Sequence, residues 1–176
     1  MTSARNRHLI EAQIPALRRF AHALARDAAL ADDLVQECLL RALSRWHLLR
    51  SGPELRAWLF RVLRNLYIDA LRRQGRRGGP SLDLVPEPVA PGSAEGAIEL
   101  TEVLAALWRL PIEQREAILL VGVEGFGYEE AAGIAGVPLG TLMSRLARGR
   151  AALRALTGRE EKKATPGAPG GLRRVK

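Results

Sequence analysis

The chain has 176 residues, a net charge of +8 and only 5% aromatic residues, so its composition favours an all-helical fold over a β-rich one. Its single cysteine excludes an intramolecular disulfide and a multi-cysteine zinc site. Its three histidines show no metal-ligand spacing, and we expect no metal and no cofactor. The chain starts without an apolar run long enough for a signal peptide or membrane span, which suggests a cytoplasmic protein, and its positive charge suggests a polyanionic partner.

Apolar periodicity predicts two helices near the start of the chain. The first spans Leu9 to about Arg26, and the second spans Ala31–Trp46 with acidic residues at its start, where they favour the helix dipole. The second helix has an apolar stripe and an opposite face that is mostly polar except for Leu40. An isolated exposed leucine is often without function, but Leu40 could also anchor a partner protein.

The third predicted helix, Glu54–Arg73, interleaves aromatic residues with arginines. Ser51 and Glu54 have the spacing of a capping box ahead of it. Aromatic rings between arginines could stack on unpaired bases while the arginines neutralise phosphates. Alternatively, Trp58, Phe60 and Tyr67 are ordinary core residues, and their spacing leaves both interpretations open.

Glycines and prolines then predict a flexible linker at residues 77–97, which divides the chain into domains at 1–76 and 98–158. The first domain has 14 basic and 7 acidic residues, whereas the second has 6 and 7. The linker predicts that the relative orientation of the two domains varies. Residues 159–176 form a polar, basic tail that we expect to be disordered.

The second domain should contain four helices, and its last two predict a helix-turn-helix. Tyr128–Ala135 favours a helix that Gly136 can end with a positive φ, and Pro138 fits the first turn of the next helix. That last helix, to Leu156, carries four arginines and no acidic residue. Such a charge suits a helix that enters the major groove of DNA, although a solvated arginine face is the alternative.

Three segments, at residues 32–43, 55–73 and 110–153, resemble in that order the core-binding helix, the promoter-melting helix and the C-terminal promoter-binding domain of extracytoplasmic-function (ECF) sigma factors of bacterial RNA polymerase. The resemblance covers about residues 8–156, and three such motifs in this order around a Pro/Gly linker are highly specific. The segment LVGVEGFGYEEAA resembles the general-stress-response branch. The resemblance implies a sigma region 2 domain at 1–76 and a sigma region 4 domain at 98–158.

The resemblance also implies partners and contact residues. Core RNA polymerase, through its β′ clamp helices, should contact Asp33, Gln36, Glu37, Leu40 and Arg41, and its β flap should meet the second domain. The −10 element should face Trp58, Arg61, Arg64, Asn65, Tyr67 and Arg72, with residues 48–53 holding a flipped base. The −35 element should face Thr141, Ser144, Arg145 and Arg148. Promoter DNA and an anti-sigma factor are the other expected partners, and no membrane is expected.

Two positions depart from the family pattern. Met143 stands where relatives commonly have a basic residue, and the small Ala147 lies one turn further on. Either could alter readout of the −35 element, so the promoter sequence is not carried over from the family.

Three other functions remain open from the sequence. A helix-turn-helix regulator that does not engage polymerase would leave the pattern at residues 31–73 without a purpose. A sigma-mimic adaptor that binds an anti-sigma factor would, in this family, be fused to a receiver domain that 176 residues do not accommodate. An enzyme is least supported, because the chain has neither a Gly-rich phosphate loop nor a nucleophile–histidine pair.

Overall fold

The computed structural model describes residues 2–45, 53–76 and 94–158, and every regular element in those ranges is helical. The N-terminal unit, residues 2–76, comprises α1 (Thr2–Glu11), α2 (Ile14–Leu24), α3 (Ala28–Ser44) and α4 (Pro53–Arg76). The C-terminal unit, residues 94–158, comprises α5 (Ala94–Arg109), α6 (Ile112–Ile118), a π-helical turn (Leu119–Val123), α7 (Tyr128–Ala135) and α8 (Leu139–Thr157). The predicted all-α class with two helical units is confirmed. The predicted base-holding loop apart from Pro53, nearly all of the predicted linker and the predicted disordered tail at residues 159–176 lie outside the described residues, as does Ser51.

Two predicted helix boundaries near the start of the chain were wrong. The first predicted helix is two helices, because the chain turns at residues 12–13 and Pro15 occupies the first turn of α2. The second begins at Ala28, earlier than predicted, because the Asp27 carboxylate accepts hydrogen bonds from the Ala29 and Leu30 amides at 2.8 and 3.2 Å. In the C-terminal unit, α5 begins at Ala94, inside the segment that was predicted to be a linker.

The core of the N-terminal unit forms where α2, α3 and α4 pack together. Its largest fully buried side chains include Phe20, Leu59 and Leu63. Cys38 is also buried there, and its Sγ donates to the Leu59 carbonyl at 3.4 Å. Burial raises the pKa of the Cys38 thiol to about 12, so the group stays protonated and packs as a small apolar residue.

The helix-turn-helix forms as the sequence predicts. Gly136 ends α7 with φ 66°, in the left-handed region, and the Val137 amide donates to the Ala132 carbonyl at 3.1 Å. Pro138 precedes α8 as its N-cap, one residue before the predicted position in the first turn. Gly149 lets α8 approach α6 closely, since a Cβ built there would lie 2.9 Å from Ile118 Cδ1.

The two units pack against each other around one shared apolar core. At its centre, the Phe60 ring of α4 lies 4.9 Å from the Phe126 ring, edge to face, and 5.1 Å from Phe20. Trp108 Nε1 donates to the Ala23 carbonyl at 3.1 Å, which joins α5 to α2. The structure describes one arrangement of the units, and the variable orientation expected from the linker stays a prediction.

Candidate nucleic-acid and polymerase interface

All five residues predicted to contact the polymerase lie on the exposed side of α3: Asp33, Gln36, Glu37, Leu40 and Arg41. The opposite side of the helix is buried through Leu34, Val35 and Cys38. Leu40 is 63% exposed, and Leu43, three residues further on, is 53% exposed. The structure thus places two exposed leucines beside each other on a charged face, whereas the apolar periodicity of the helix assigned Leu43 to the buried stripe, which was wrong.

Polar contacts on this face are local. Arg41 Nε donates to Glu37 Oε1 at 2.8 Å, and both side chains are about half exposed. An exposed pair four residues apart on a helix contributes little to stability. Breaking this pair so that either side chain can contact a partner therefore costs little free energy.

The residues predicted to face the −10 element do not all share one environment. Arg61, Asn65 and Arg72 are exposed on α4, whereas Trp58 is half-buried and packs on the core. Arg72 Nη1 lies 3.6 Å from Asp69 Oδ1, an exposed pair. Arg64 is mostly covered and bonds to the C-terminal unit, as described below.

Tyr67 is buried, and its predicted position facing DNA is wrong in this structure. Its hydroxyl donates to the Leu24 carbonyl at 3.1 Å, and burial raises the pKa of the phenol. The alternative interpretation, that the aromatic residues of α4 belong to the core, is correct for Tyr67 and also for Phe60. The reason is that α2 packs along this side of α4, which the spacing of aromatic residues does not reveal.

The residues predicted to face the −35 element lie together in the first half of α8. Thr141, Ser144 and Arg145 are half-buried, while Arg148 is exposed. Ser144 Oγ donates to the Thr141 carbonyl at 2.9 Å, and Arg148 Nη2 donates to Ser144 Oγ at 3.2 Å. Met143, 49% exposed, projects from the same part of the helix.

Two carboxylates of the C-terminal unit are buried against arginines of the N-terminal unit. Glu124, whose side chain is fully buried, accepts two hydrogen bonds from Arg19, with Nε and Nη2 each at 2.9 Å. Arg56 donates to the Glu124 carbonyl at 2.6 Å and stacks over the Phe126 ring at 4.1 Å. These contacts fix the π-helical turn and the loop after it against α2 and α4.

Glu116, on α6, is the second buried carboxylate. Its Oε1 accepts from Arg64 Nε at 2.8 Å, and the Glu116 side chain is 4% exposed. Burial raises the pKa of this carboxyl, an effect that the charges of Arg64 and Arg145 oppose and that of Glu113 adds to. One arginine predicted to face DNA is thus held by a carboxylate of the other unit.

Arg115 is a buried cation whose donors go to backbone carbonyls. Its Nη1 donates to Leu24 O of α2 at 2.6 Å, and its Nε donates to Leu107 O at 3.1 Å. Its Nη2 lies 3.2 Å from the carbonyls of both Trp108 and Leu110. Burial lowers the pKa of this guanidinium. Arg115 therefore ties the ends of α2 and α5 to α6.

Most of these contacts could not be foreseen from the sequence. Arg19, Arg56 and Glu124 are far apart in the chain, and no motif marks them. Only Arg115 stood out in the sequence, because it is the single basic residue from Glu113 to Glu130, where every other charged residue is acidic.

In the described ranges, no cluster of three or more His, Cys, Asp or Glu residues could hold a metal ion. Among the same residues, no helix is long and apolar enough to cross a membrane.

Comparisons with known proteins match both units. Residues 10–64 match the family profile described as the Sigma2 domain of PhyR, and residues 100–153 match Sigma-70, region 4. The ECF RNA polymerase sigma factor EcfG of Rhodopseudomonas palustris is 44% identical over 152 residues, which cover 84% of this chain and 82% of the relative. SigC of Mycobacterium tuberculosis is 36% identical over 129 residues, 72% of this chain and 70% of the relative.

A solved structure agrees with these relatives. The sigma factor RpoE from Bartonella quintana, in complex with the anti-sigma factor NepR, matches with a TM-score of 0.74 and 38% identity. The match covers 86% of this chain and 96% of that one. The structural likeness therefore extends over both units of this protein, and not over one unit alone.

A helical unit followed by a helix-turn-helix unit whose last helix is basic is the architecture of two-part promoter-recognition proteins. Within that class, the chain belongs to the ECF RNA polymerase sigma factors. It binds core RNA polymerase and promoter DNA and directs transcription initiation. A regulator that acts without polymerase is thereby not supported.

Proposed function

We propose that this sigma factor divides its contacts between the two units as its exposed faces suggest. The charged face of α3, with Leu40 at its centre, docks on the β′ clamp helices. The exposed residues of α4, with Arg64, bind and help to melt the −10 element. The first half of α8 binds the −35 element, and the same unit meets the β flap.

This proposal rests on two exposed surfaces that differ in charge, one on each unit. The α3 face combines acidic and basic side chains with exposed leucines, which suits a protein partner. The helix α8 has four arginines and no acidic residue, and two of them, Arg145 and Arg148, lie on the face assigned to the −35 element, which suits a phosphate backbone. Each function therefore has a surface of matching chemistry.

We also infer an anti-sigma partner, cytoplasmic placement and a task in the stress response. The Bartonella quintana sigma factor was solved in complex with such a partner, the anti-sigma factor NepR. With 38% identity and a TM-score of 0.74 over most of both chains, the shared fold supports a partner of the same kind for this protein. The proposed function contains no catalytic step of its own, since promoter melting relies on binding energy and the chemistry of RNA synthesis belongs to the polymerase.

The direct test is run-off transcription. Purified core polymerase, the full chain and a library of genomic promoter fragments should give discrete transcripts that are absent without the chain. The transcripts identify the promoter sequence, which the structure does not. A lack of transcripts from every fragment, with core that is active on a control sigma factor, would contradict the proposal.

Substitution of Leu40 tests the α3 assignment separately. Leu40→Asp places a charge in a docked apolar contact, and we expect it to weaken core binding by roughly 1–3 kcal/mol. Leu100→Asp is the matched control, because Leu100 is 46% exposed on α5, outside the predicted core-binding helix. Binding of labelled chain to core measures both variants, and circular dichroism checks that each remains helical. Equal core affinity for wild type and Leu40→Asp would remove Leu40 from the interface.

A further inference from the structure

Met143 is the most exposed large apolar side chain of α8. It is 49% exposed, and Leu139, four residues earlier on the same helix, is 39% exposed. Side chains four residues apart are neighbours on a helix surface, so these two form one apolar patch at the start of α8. The helix is anchored to the core through its buried residues Leu142, Leu146 and Gly149, and the patch extends beyond them into the open. Packing within the unit therefore gives no reason for an apolar side chain at Met143.

The patch borders the surface that is assigned to the −35 element. Met143 lies about 100° around the helix from Ser144, and Gly140 and Ala147 lie between them. Gly140 has open space where a Cβ would be, and Ala147 is exposed but small. The exposed arc of α8 thus has polar side chains on one edge and Met143 on the other, and nothing large between them blocks the approach of a ligand.

A recognition helix presents both edges of such an arc to base pairs when its first turns enter the major groove. The groove is about 12 Å wide, which is close to the diameter of a helix with its side chains. If Gly140 and Ala147 face the floor of the groove, Met143 reaches the base edges. A protein partner could not cover the patch at the same time, because the first turns of α8 would be inside the groove.

The chemistry of methionine limits what Met143 can recognise there. Its side chain has no hydrogen-bond donor and its sulfur is a weak acceptor, so it cannot read the donors and acceptors of a base edge. The apolar group that base pairs display in the major groove is the C5-methyl group of thymine. An unbranched, flexible side chain can adapt its shape to such a group.

We propose that Met143 is a specificity-determining residue that packs, with Leu139 beside it, against the C5-methyl group of a thymine in the −35 element. This inference deepens the proposed function and rests on the assignment of the first half of α8 to that element. The contact favours thymine over cytosine, because cytosine lacks the methyl group and presents a donor that Met143 cannot satisfy. The −35 element should therefore contain an A·T pair at the contacted position.

Replacement of thymine by deoxyuridine tests the contact directly, because it removes the C5-methyl group and keeps the hydrogen-bonding groups of the base. The probe is a labelled −35 duplex from a promoter found by run-off transcription, with each thymine replaced in turn. Fluorescence anisotropy measures the affinity of the full chain. Wild type should lose about fourfold in affinity at one thymine, which corresponds to about 0.8 kcal/mol for one buried methyl group. The ratio should be the same between about 50 and 200 mM salt, since no charge changes.

Met143→Ala should bind the thymine duplex more weakly than wild type by a similar factor, and it should bind the thymine and deoxyuridine duplexes equally. Met143→Gln is the second variant, because glutamine has nearly the helix propensity and length of methionine but a polar end, and it should also lose the discrimination. Leu156→Ala is the matched control. Leu156 is 36% exposed near the end of α8, outside the first half of the helix, so this variant should discriminate as wild type does.

Two results would overturn the inference. One is equal affinity of wild type for the thymine and deoxyuridine duplexes at every position, and the other is discrimination by Met143→Ala that matches wild type. Failure of the proposed function is distinct, since wild type would then bind the −35 duplex no more tightly than a duplex of scrambled sequence and would give no run-off transcripts.

Discussion

Removal of Arg148 from α8 is expected to weaken −35 binding in a way that reveals what this side chain contacts. Arg148 is exposed and its guanidinium is held by the previous turn, where Nε lies 3.3 Å from Ser144 O and Nη2 lies 3.2 Å from Ser144 Oγ. These contacts are on the surface and weak. Arg148 can therefore move to a phosphate with little loss.

The expected magnitude follows from the loss of one phosphate contact. Each contact contributes about 0.9 to the slope of log affinity against log salt concentration. The advantage of wild type over Arg148→Ala should therefore shrink by about 3.5-fold between 50 and 200 mM salt, since the salt concentration rises about fourfold over that range. The loss should be similar for all single-base variants of the −35 duplex. If Arg148 instead reads a guanine, the loss should be roughly 1–3 kcal/mol at one base pair only.

The assay is a salt titration of duplex binding by fluorescence anisotropy, repeated with single-base variants. Arg150→Ala is the control, because Arg150 is also exposed but lies about 200° around the helix from Arg148. It loses the same charge on a different face. We expect the phosphate result, with the larger effect for Arg148→Ala. Equal affinity of wild type and Arg148→Ala at every salt concentration and for every duplex would refute the placement of this face of α8 in the groove.

Two further predictions concern stability and are measured by urea denaturation. Gly149→Ala should lower the free energy of unfolding by about 1–2 kcal/mol, since a Cβ there would lie 2.9 Å from Ile118 Cδ1 and 3.1 Å from the backbone carbonyl oxygen of Gln114, and this overpacking outweighs the gain in helix propensity. Gly140→Ala, with open space around it, should leave stability unchanged or raise it, and a more stable Gly149→Ala would contradict the tight α6–α8 contact. Glu116→Gln should change the pH dependence of stability: burial raises the pKa of Glu116, so wild type loses stability relative to the variant as pH rises from below 4.5 through that raised pKa. If wild type instead gained stability relative to Glu116→Gln over the same pH range, the ion pair with Arg64 would outweigh the effect of burial on the pKa of Glu116.

The sequence by itself determined the helix-turn-helix. Gly136 needs no tertiary partner to adopt φ 66°, because a residue without a Cβ tolerates the left-handed region. The bounds of α7 and the excess of arginine over acidic residues along α8 follow from the sequence alone. The same holds for the polar face of α3, whose apolar stripe forces the remaining residues outward.

Only the tertiary structure decided the environment of individual side chains on α4. The apolar residues of α4 recur on more than one side of the helix. The sequence therefore does not predict that Tyr67 is buried against α2 or that Arg64 bonds to Glu116. The first predicted helix was also wrong, because a turn at residues 12–13 divides a continuous apolar period into α1 and α2.

The contact between the units lay furthest from what the sequence could predict. Arg19 and Glu124 are 105 residues apart, and their pair depends on the path of the chain through α4, α6 and the π-helical turn. A Pro/Gly-rich segment predicts freedom of orientation from local entropy alone. Whether two units separate or pack depends on whether their facing surfaces can bury apolar rings and satisfy every buried charge, and that is a property of surfaces that exist only after each unit has folded.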